Sequence, residues 1–483
     1  MSDARTIVYS RRVLVPGADG VEERRAAIFV RGSLVDEVRL DPDERALASE
    51  AKGAGWRLDD FGRALVAPAF VNAHTHLAMS ALRGIVAQCG HAANAVESVF
   101  FRLEASLQPG DVRAFARLGA YESLLAGVGL VWDHYYAGLE VAEALRDTGL
   151  AGVVAPTLQD LSGPGRDTWE RELEATLAVH GDASFTAAGV VAALGPHATD
   201  TVSLDLFRRA SDLARANGLP LHCHVAQSPE EVVALGRRHG TTPLDWLLRE
   251  GLLDVSCAVL AHCLYADAGE LRRLDRSRHV LALCPYSQLE FGVLAPAALW
   301  DALGLQFVVA TDSAASNDSM NPQKELRLLA NLPALRVAFS ESYARATERV
   351  SMDRARAVAS LRAECLDASA AWIEPGRLLE RLWRLPGALH PQLSAGELLA
   401  GRLANLAVYD VEHPSLWPAD DALRSLCFSD AAPALVAVMV NGSWVGTPGA
   451  GFAQSVTASV EYRDALREAE ARRRALLVRA GLA

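Results

Sequence analysis

Residues 64–77 read Ala64-Leu65-Val66-Ala67-Pro68-Ala69-Phe70-Val71-Asn72-Ala73-His74-Thr75-His76-Leu77, an apolar run that ends in two histidines one residue apart. A short continuous apolar run of this kind suits a strand buried on both faces. Alternation along a strand sends residues i and i+2 the same way, so His74 and His76 face together, and two imidazoles at that spacing can share a metal. One such pair is weak evidence for a fold. The run, however, recurs at Gly129–Trp132, Gly152–Ala155, Ala187–Val191, Leu219–His224, Ala258–Ala261, Val280–Leu283 and Phe307–Ala310. Helix-like stretches lie between, among them Asp111–Ala126, Asp205–Asn217, Pro229–His239 and Ala266–Leu274. Strand-then-helix units repeated through residues 66–391 imply parallel strands, and eight of them imply an α/β fold of the (β/α)₈ TIM-like barrel type. A doubly wound open sheet ranks below it, because no GxGxxG follows the first strand.

Outward from this middle, the texture changes at both ends. Thr6–Val15, Ala26–Val30 and Leu34–Val38 are short β-like runs punctuated by Gly17, Gly20 and Gly32. Leu406–Tyr409 and Leu435–Val440 repeat the pattern, and Asn441-Gly442 before Ser443–Val445 is a hairpin signal. We expect a small β-sandwich domain built from both termini, residues 1–65 and 392–483, flanking the barrel. The charged stretch Tyr462–Leu477 is expected as a solvated terminal helix.

Composition narrows the class. The chain has 483 residues, 51% hydrophobic and 22% charged, enough apolar material for a large core. With 47 Lys and Arg against 59 Asp and Glu, the net charge of −12 argues against nucleic acid as a partner. No apolar run is long enough to span a membrane, and the opening Met1–Arg12 lacks the apolar core of a signal peptide. Seven cysteines, Cys89 among them, include no CxxC pair, which suits a reducing cytoplasm better than a disulfide framework. The expected localisation is cytoplasmic.

In a barrel of this kind catalysis sits at the C-terminal ends of the strands. There the polar residues cluster: His74 and His76 on the first run, His197 after the fourth, His222 and His224 on the fifth, His262 on the sixth, Asp312 on the eighth. Asp133-His134 ends the second run, where an aspartate commonly supports a loop. Any one of these histidines alone reads as a hydrogen-bonded structural group, but their recurrence at strand ends does not.

The ordered motifs resemble the amidohydrolase superfamily, in its deaminase and chlorohydrolase branch. They are Pro68–Leu77 with Met79 and Leu82-Arg83-Gly84; His222-Cys223-His224; Ala261-His262-Cys263; Cys284-Pro285-Tyr286-Ser287; and Thr311–Asp318. The C-terminal stretch Leu393–Tyr409 with Val438–Val445 resembles the family's return into its small β domain. The resemblance implies one divalent metal, Zn²⁺ or else Fe²⁺, held by His74, His76, His224 and Asp312. No lysine caps a middle strand as in the binuclear subtypes, which favours a single ion. By the same resemblance, Asp312 moves the proton of the attacking water, His262 hydrogen-bonds that water or the substrate, and His197 contacts substrate.

Three positions depart from the family's pattern. Its deaminases carry His-x-x-Glu after the fifth strand, where this chain reads His224-Val225-Ala226-Gln227. A glutamine amide donates a hydrogen bond but transfers no proton at neutral pH. Glu230, Glu231 and Glu290 are the nearby carboxyls that could stand in. Ala69 replaces a usual glycine, and Asn405 a usual aspartate. Arg83 either orders its loop or contacts an anionic part of the substrate, and the long connection Val86–Asp111, with Phe100-Phe101-Arg102, is a candidate to shape the pocket.

The reading is therefore a hydrolase acting on C–N bonds, a deaminase of an amino-substituted N-heterocycle, with Gln227, His197 and Arg83 as substrate contacts. The alternatives are dehalogenation, dealkylamination or formimino hydrolysis on the same scaffold, and, last, a non-catalytic barrel. The expected partners are a small-molecule substrate and, as in related enzymes, further copies of the chain in a homo-oligomer, a dimer or larger; nucleic acid and membrane are not expected.

Overall fold

The computed structural model describes residues 5–18, 20–85 and 96–482. Five strands come first: β1 (Arg5–Gly17), β2 (Gly20–Arg31), β3 (Leu34–Leu40), β4 (Arg57–Asp60) and β5 (Leu65–Pro68). β1, β2 and β3 form an antiparallel meander, and β1 pairs in parallel with β4 and β5. The two-residue period divides β1 between two cores. Ile7 and Tyr9 pack with Leu47 and Ala51 of the helix Glu44–Ala54, while Val8 packs with Ile28, Val66 and Leu406. Asp43 caps that helix by accepting from the Ala46 N–H.

The middle of the chain carries β6 (Phe70–Thr75), β7 (Val128–Tyr135), β8 (Ala151–Leu158), β9 (Val190–Ala192), β10 (Gly195–Pro196), β11 (Leu221–Val225), β12 (Ala258–His262), β13 (His279–Leu283) and β14 (Phe307–Val309). All of their ladders are parallel. One sheet runs β6–β7–β8 with β9 and β10 both on β8, and a second runs β11–β12–β13–β14. Parallel bridges Leu194↔Leu221 and Ala198↔His224 join the sheets at one margin, and Thr75↔Asp312 joins them at the other. Almost every residue of these strands is buried, as expected for parallel strands covered by helices.

Two strand positions differ from the sequence reading. The fourth strand begins at Val190, because Asp182 caps a short helix, Ala183–Ala187, and Gly189 ends it with φ of 75°. The first apolar run is two strands: β5 belongs to the terminal sheet and β6 to the parallel one, with Ala69 alone between them. The expected boundary between residues 65 and 66 falls inside β5.

The chain returns to the first sheet through β15 (Leu406–Tyr409), β16 (Leu435–Val440) and β17 (Ser443–Val445). β15 lies antiparallel to β5, with Tyr409 opposite Leu65, so strands from both ends share one eight-stranded sheet. The β16–β17 hairpin turns on Asn441 and Gly442, both at positive φ (48° and 70°), the conformation a two-residue hairpin loop demands. Asn405 ties the sheets together, donating to the Gly129 carbonyl of β7 and accepting from the Asn441 N–H.

The terminal helix, Val460–Arg479, is not simply solvated. It buries Ala465, Ala469 and Leu476, and its Arg472 and Arg479 pair with the buried Asp111 at the start of the helix Asp111–Leu125. The alternating charges had suggested water on all sides, but a stripe of alanines lets the helix lie close. The six described cysteines are free, and Cys89 lies outside the described residues. Among the described residues no helix is long and apolar enough to cross a membrane.

Candidate active site

β6 delivers His74 and His76, β11 His224, β12 His262, and the turn after β14 Asp312. Coordinating atoms of His74, His76 and His224 lie within 4.8 Å of one another, as do those of His74, His262 and Asp312. Asp312 Oδ1 stands 3.2 Å from His76 Nε2 and 3.8 Å from His74 Nε2, and its Oδ2 stands 4.0 Å from His262 Nε2. Backbone and side chains pin this constellation. The Asp312 N–H donates to the His74 carbonyl, and Asn72 clasps Thr311 by donating to its hydroxyl and accepting from its N–H. Asp312 and His262 both adopt positive φ, 63° and 74°, a strained conformation for side chains of their kind.

Each of the three histidines is anchored through Nδ1. His76 Nδ1 donates to the His134 carbonyl, and His224 Nδ1 to the His197 carbonyl at 3.0 Å. His74 Nδ1 instead meets a side chain, His222 Nε2, at 2.8 Å. Anchoring by Nδ1–H leaves Nε2 with its lone pair, the form that ligates a metal. His74 Nε2 is buried without a hydrogen-bond partner among the described residues. Burial, then the neighbouring rings, holds His74 and His224 well below the ordinary imidazole range, so both are neutral. Burial disfavours charge on Asp312, yet the His76 contact outweighs it and keeps the carboxyl below its usual value. His74 and His224 as neutral imidazoles, His76, whose pKa Asp312 and Asp133 raise against the effect of burial, and the Asp312 carboxylate form a donor set, one nitrogen of it orphaned, that fits Zn²⁺ or Fe²⁺ once a cation displaces the His76 proton.

A cavity of about 280 Å³ adjoins this donor set, lined by His76, His134, His197, His224, Gln227, His262 and Asp312 among others. His197 is held by Thr201 through Nδ1 at 2.9 Å, and Ser287 donates to Asp312 Oδ2 at 2.7 Å. Asp133 accepts from the Leu77 N–H at 2.6 Å and the Thr75 hydroxyl, so it locks the turn after His76.

Residues 65–363 match the Amidohydrolase family. The chain belongs to the amidohydrolase family. One relative, the 5-methylthioadenosine/S-adenosylhomocysteine deaminase of Natronomonas pharaonis, is 30% identical over 385 residues, 79% of this chain and 81% of that protein. An adenosine deaminase from Xanthomonas campestris with bound zinc superposes with a TM-score of 0.76 at 21% identity, covering 98% of this chain and 99% of its own. Atrazine chlorohydrolase from Arthrobacter aurescens, complexed with zinc, gives 0.73 at 20% identity, with coverage of 97% and 100%. At those identities the two solved structures establish a likeness of fold.

In this amidohydrolase the structure brings His74, His76, His224, His262, Asp312, His197 and Gln227 together, and it leaves Arg83 outside. The Arg83 guanidinium pairs with Glu122 on the outer surface and does not line the cavity. The stand-in carboxyls also separate. Glu231 turns inward to accept from the Thr199 hydroxyl and the Gln227 N–H, away from the cavity. Glu290 is exposed and outside the lining, whereas Glu230 lines it. Sequence reading missed Glu104, which the short helix Phe101–Glu104 places in the cavity wall beside Tyr135, with Phe101 5.9 Å from His197. Burial, eased by the Tyr135 hydrogen bond, pushes the Glu104 carboxyl up to about 7. Residues 86–95 of the long connection lie outside the described residues.

Proposed function

We propose that the chain is a mononuclear metal-dependent aminohydrolase that replaces the exocyclic amine of an N-heterocycle, of adenosine type, with oxygen. The observation that carries this reading is the grouping of His74 and His76 with His224, and the approach of Asp312 to the same two histidines at 3.8 and 3.2 Å, beside a cavity large enough for a heterocycle. The relatives' deaminase names support the substrate class. His74, His76, His224 and Asp312 would hold the ion, Zn²⁺ by preference or Fe²⁺. A divalent cation so held lowers the pKa of a water from 15.7 to about 7 and so supplies hydroxide at neutral pH.

The side chains do the rest. Asp312, with Oδ2 held by Ser287, takes the proton of the attacking water and returns it to the departing amine. His262 donates toward the oxygen that gains charge as the ring carbon becomes tetrahedral. His197, steadied by Thr201, and Glu104, beside Tyr135, hydrogen-bond the substrate from the opposite walls. The Gln227 amide supplies a hydrogen bond where the family's acid would supply a proton. That glutamine favours a second reading, hydrolysis of a carbon already electrophilic enough to need no ring protonation, such as a halogenated or alkylamino ring.

In architecture we read the two parallel sheets as one closed (β/α)₈ barrel, because bridges join them at both margins. The eight-stranded sheet, drawn from strands within residues 5–68 and 406–445 and packing on two faces, supports a small β-sandwich over residues 1–65 and 392–483. The test is elemental analysis of protein purified without chelator, with ammonia release measured on amino-heterocycles. One Zn or Fe per chain with ammonia is the expected result. One metal with halide release and no ammonia selects the second reading, and a folded protein that takes up no metal overturns both.

A further inference from the structure

Apart from its histidines and tyrosines, the ionisable side chains that line the cavity are carboxyls. Glu97, Glu104, Asp200, Glu230 and Asp312 line it, and no lysine or arginine does among the described residues. Residues 86–95, outside the described set, contain neither lysine nor arginine in sequence. Glu97 and Glu230 are exposed, and Asp200 is half-buried, its Oδ1 buried without a hydrogen-bond partner among the described residues. Burial, then the field of Glu97, raises the Asp200 carboxyl above its ordinary range, and Glu231 lies behind it. The Arg238 guanidinium donates to the Asp200 backbone carbonyl at 3.0 Å and does not line the cavity.

A bound phosphate or carboxylate is ordinarily met by arginine, lysine or a helix N-terminus. Here it would pass Glu97 and Glu230 with no lysine or arginine of the described lining to meet it, and the helix N-terminus that lines the cleft, Ser228-Pro229, already carries Glu230 and Glu231 in its own first turn. We propose that this cavity selects substrates that carry no anionic group, neutral amino-heterocycles or those with a cationic substituent, and rejects their phosphorylated and carboxylate-bearing analogues. The heterocycle in this statement rests on the deaminase reading, whereas the charge rule rests on the lining alone.

Three compounds with one base test it: adenosine, its 5′-phosphate, and 5′-amino-5′-deoxyadenosine. Binding to the metal-loaded protein is read by calorimetry and turnover by ammonia release, each at low and high salt. Charge focusing in clefts changes association by about 10- to 1000-fold, so the phosphate should bind and react at least about tenfold worse than adenosine, and the amine at least as well. The gap should narrow at high salt and in the double variant Glu97→Gln, Glu230→Gln, whose changed side chains are exposed and isosteric. Ammonia from adenosine with equal use of its 5′-phosphate overturns the charge rule alone, as does a gap that the double variant leaves untouched. Binding in the expected order without ammonia overturns the deaminase reading alone. Failure of all three to bind overturns both.

Discussion

His74 Nδ1 lies 2.8 Å from His222 Nε2, a contact between two buried rings on neighbouring layers of the site. His76 and His224 lean on backbone carbonyls that no substitution removes. His74 alone depends on a side chain for its orientation and tautomer. Accepting from His74 places the His222 proton on Nδ1, which is buried without a partner among the described residues, an arrangement that costs about 1–3 kcal/mol. His222→Phe should therefore weaken metal binding about 10- to 100-fold with the fold intact by circular dichroism. His222→Gln, which keeps an acceptor, should recover part of it. Unchanged affinity in the phenylalanine variant, measured against a competing chelator, would remove His222 from the role.

Asp312→Asn keeps the shape of the carboxylate and removes its proton chemistry. We expect kcat to fall about 10²–10⁴-fold, with reduced metal content. His74→Ala and His224→Ala should lose the metal and activity together. Near-normal turnover in Asp312→Asn would sink the proton-shuttle assignment.

Gln227→Glu is the change expected to add activity. The position lines the cavity and its N–H is already held by Glu231 at 2.8 Å, so the new carboxyl enters a prepared turn. Faster ammonia release from aminopurines would show that a missing proton donor limits the native reaction. A loss would show that the neutral amide is itself what the substrate requires.

Glu104 makes stability depend on pH in a definite direction. Its folded value is raised to about 7 from an ordinary 4.5, so between those limits the folded state holds the proton more tightly. The stabilisation is present in full below the unfolded value and is lost as pH rises through the folded one, a change of about 3 kcal/mol at most. Buried neutral histidines act in the opposite sense, so the comparison must be differential. Relative to the wild type, Glu104→Gln should gain stability between pH 5 and pH 8 in urea titrations. A pH-independent difference would mean that Glu104 is charged in the fold. The same variant should raise KM more than it lowers kcat.

The candidate site was legible in the sequence where its residues sit on strands or just past their ends. His74, His76, His224, His262 and Asp312 follow apolar runs, and the period of a strand says which way they face. What the sequence hid was set by loops and tertiary contacts. Glu104 and Asp200 come from connections that have no periodicity to read. Arg83 turns outward because Glu122 waits on the neighbouring helix, a partner 39 residues away in the chain. The run from Ala64 to Val71 looked like one strand because both sheets bury it, and hydrophobicity does not record that the chain changes sheets at Ala69.

That change of sheets has a consequence for how the chain is made. β5, joined to the histidine-bearing β6 through one residue, finds its antiparallel neighbour in β15, and Ala69 donates its N–H to the carbonyl of Asn405. During synthesis every ligand residue from His74 to Asp312 emerges before that neighbour exists. A nascent or truncated chain ending before Leu406 would hold the whole reaction centre and still present an open strand edge directly upstream of it, the kind of edge that recruits other chains. The edge of β5 is then closed by the chain's last strands, a step separate from bringing together the residues that line the site.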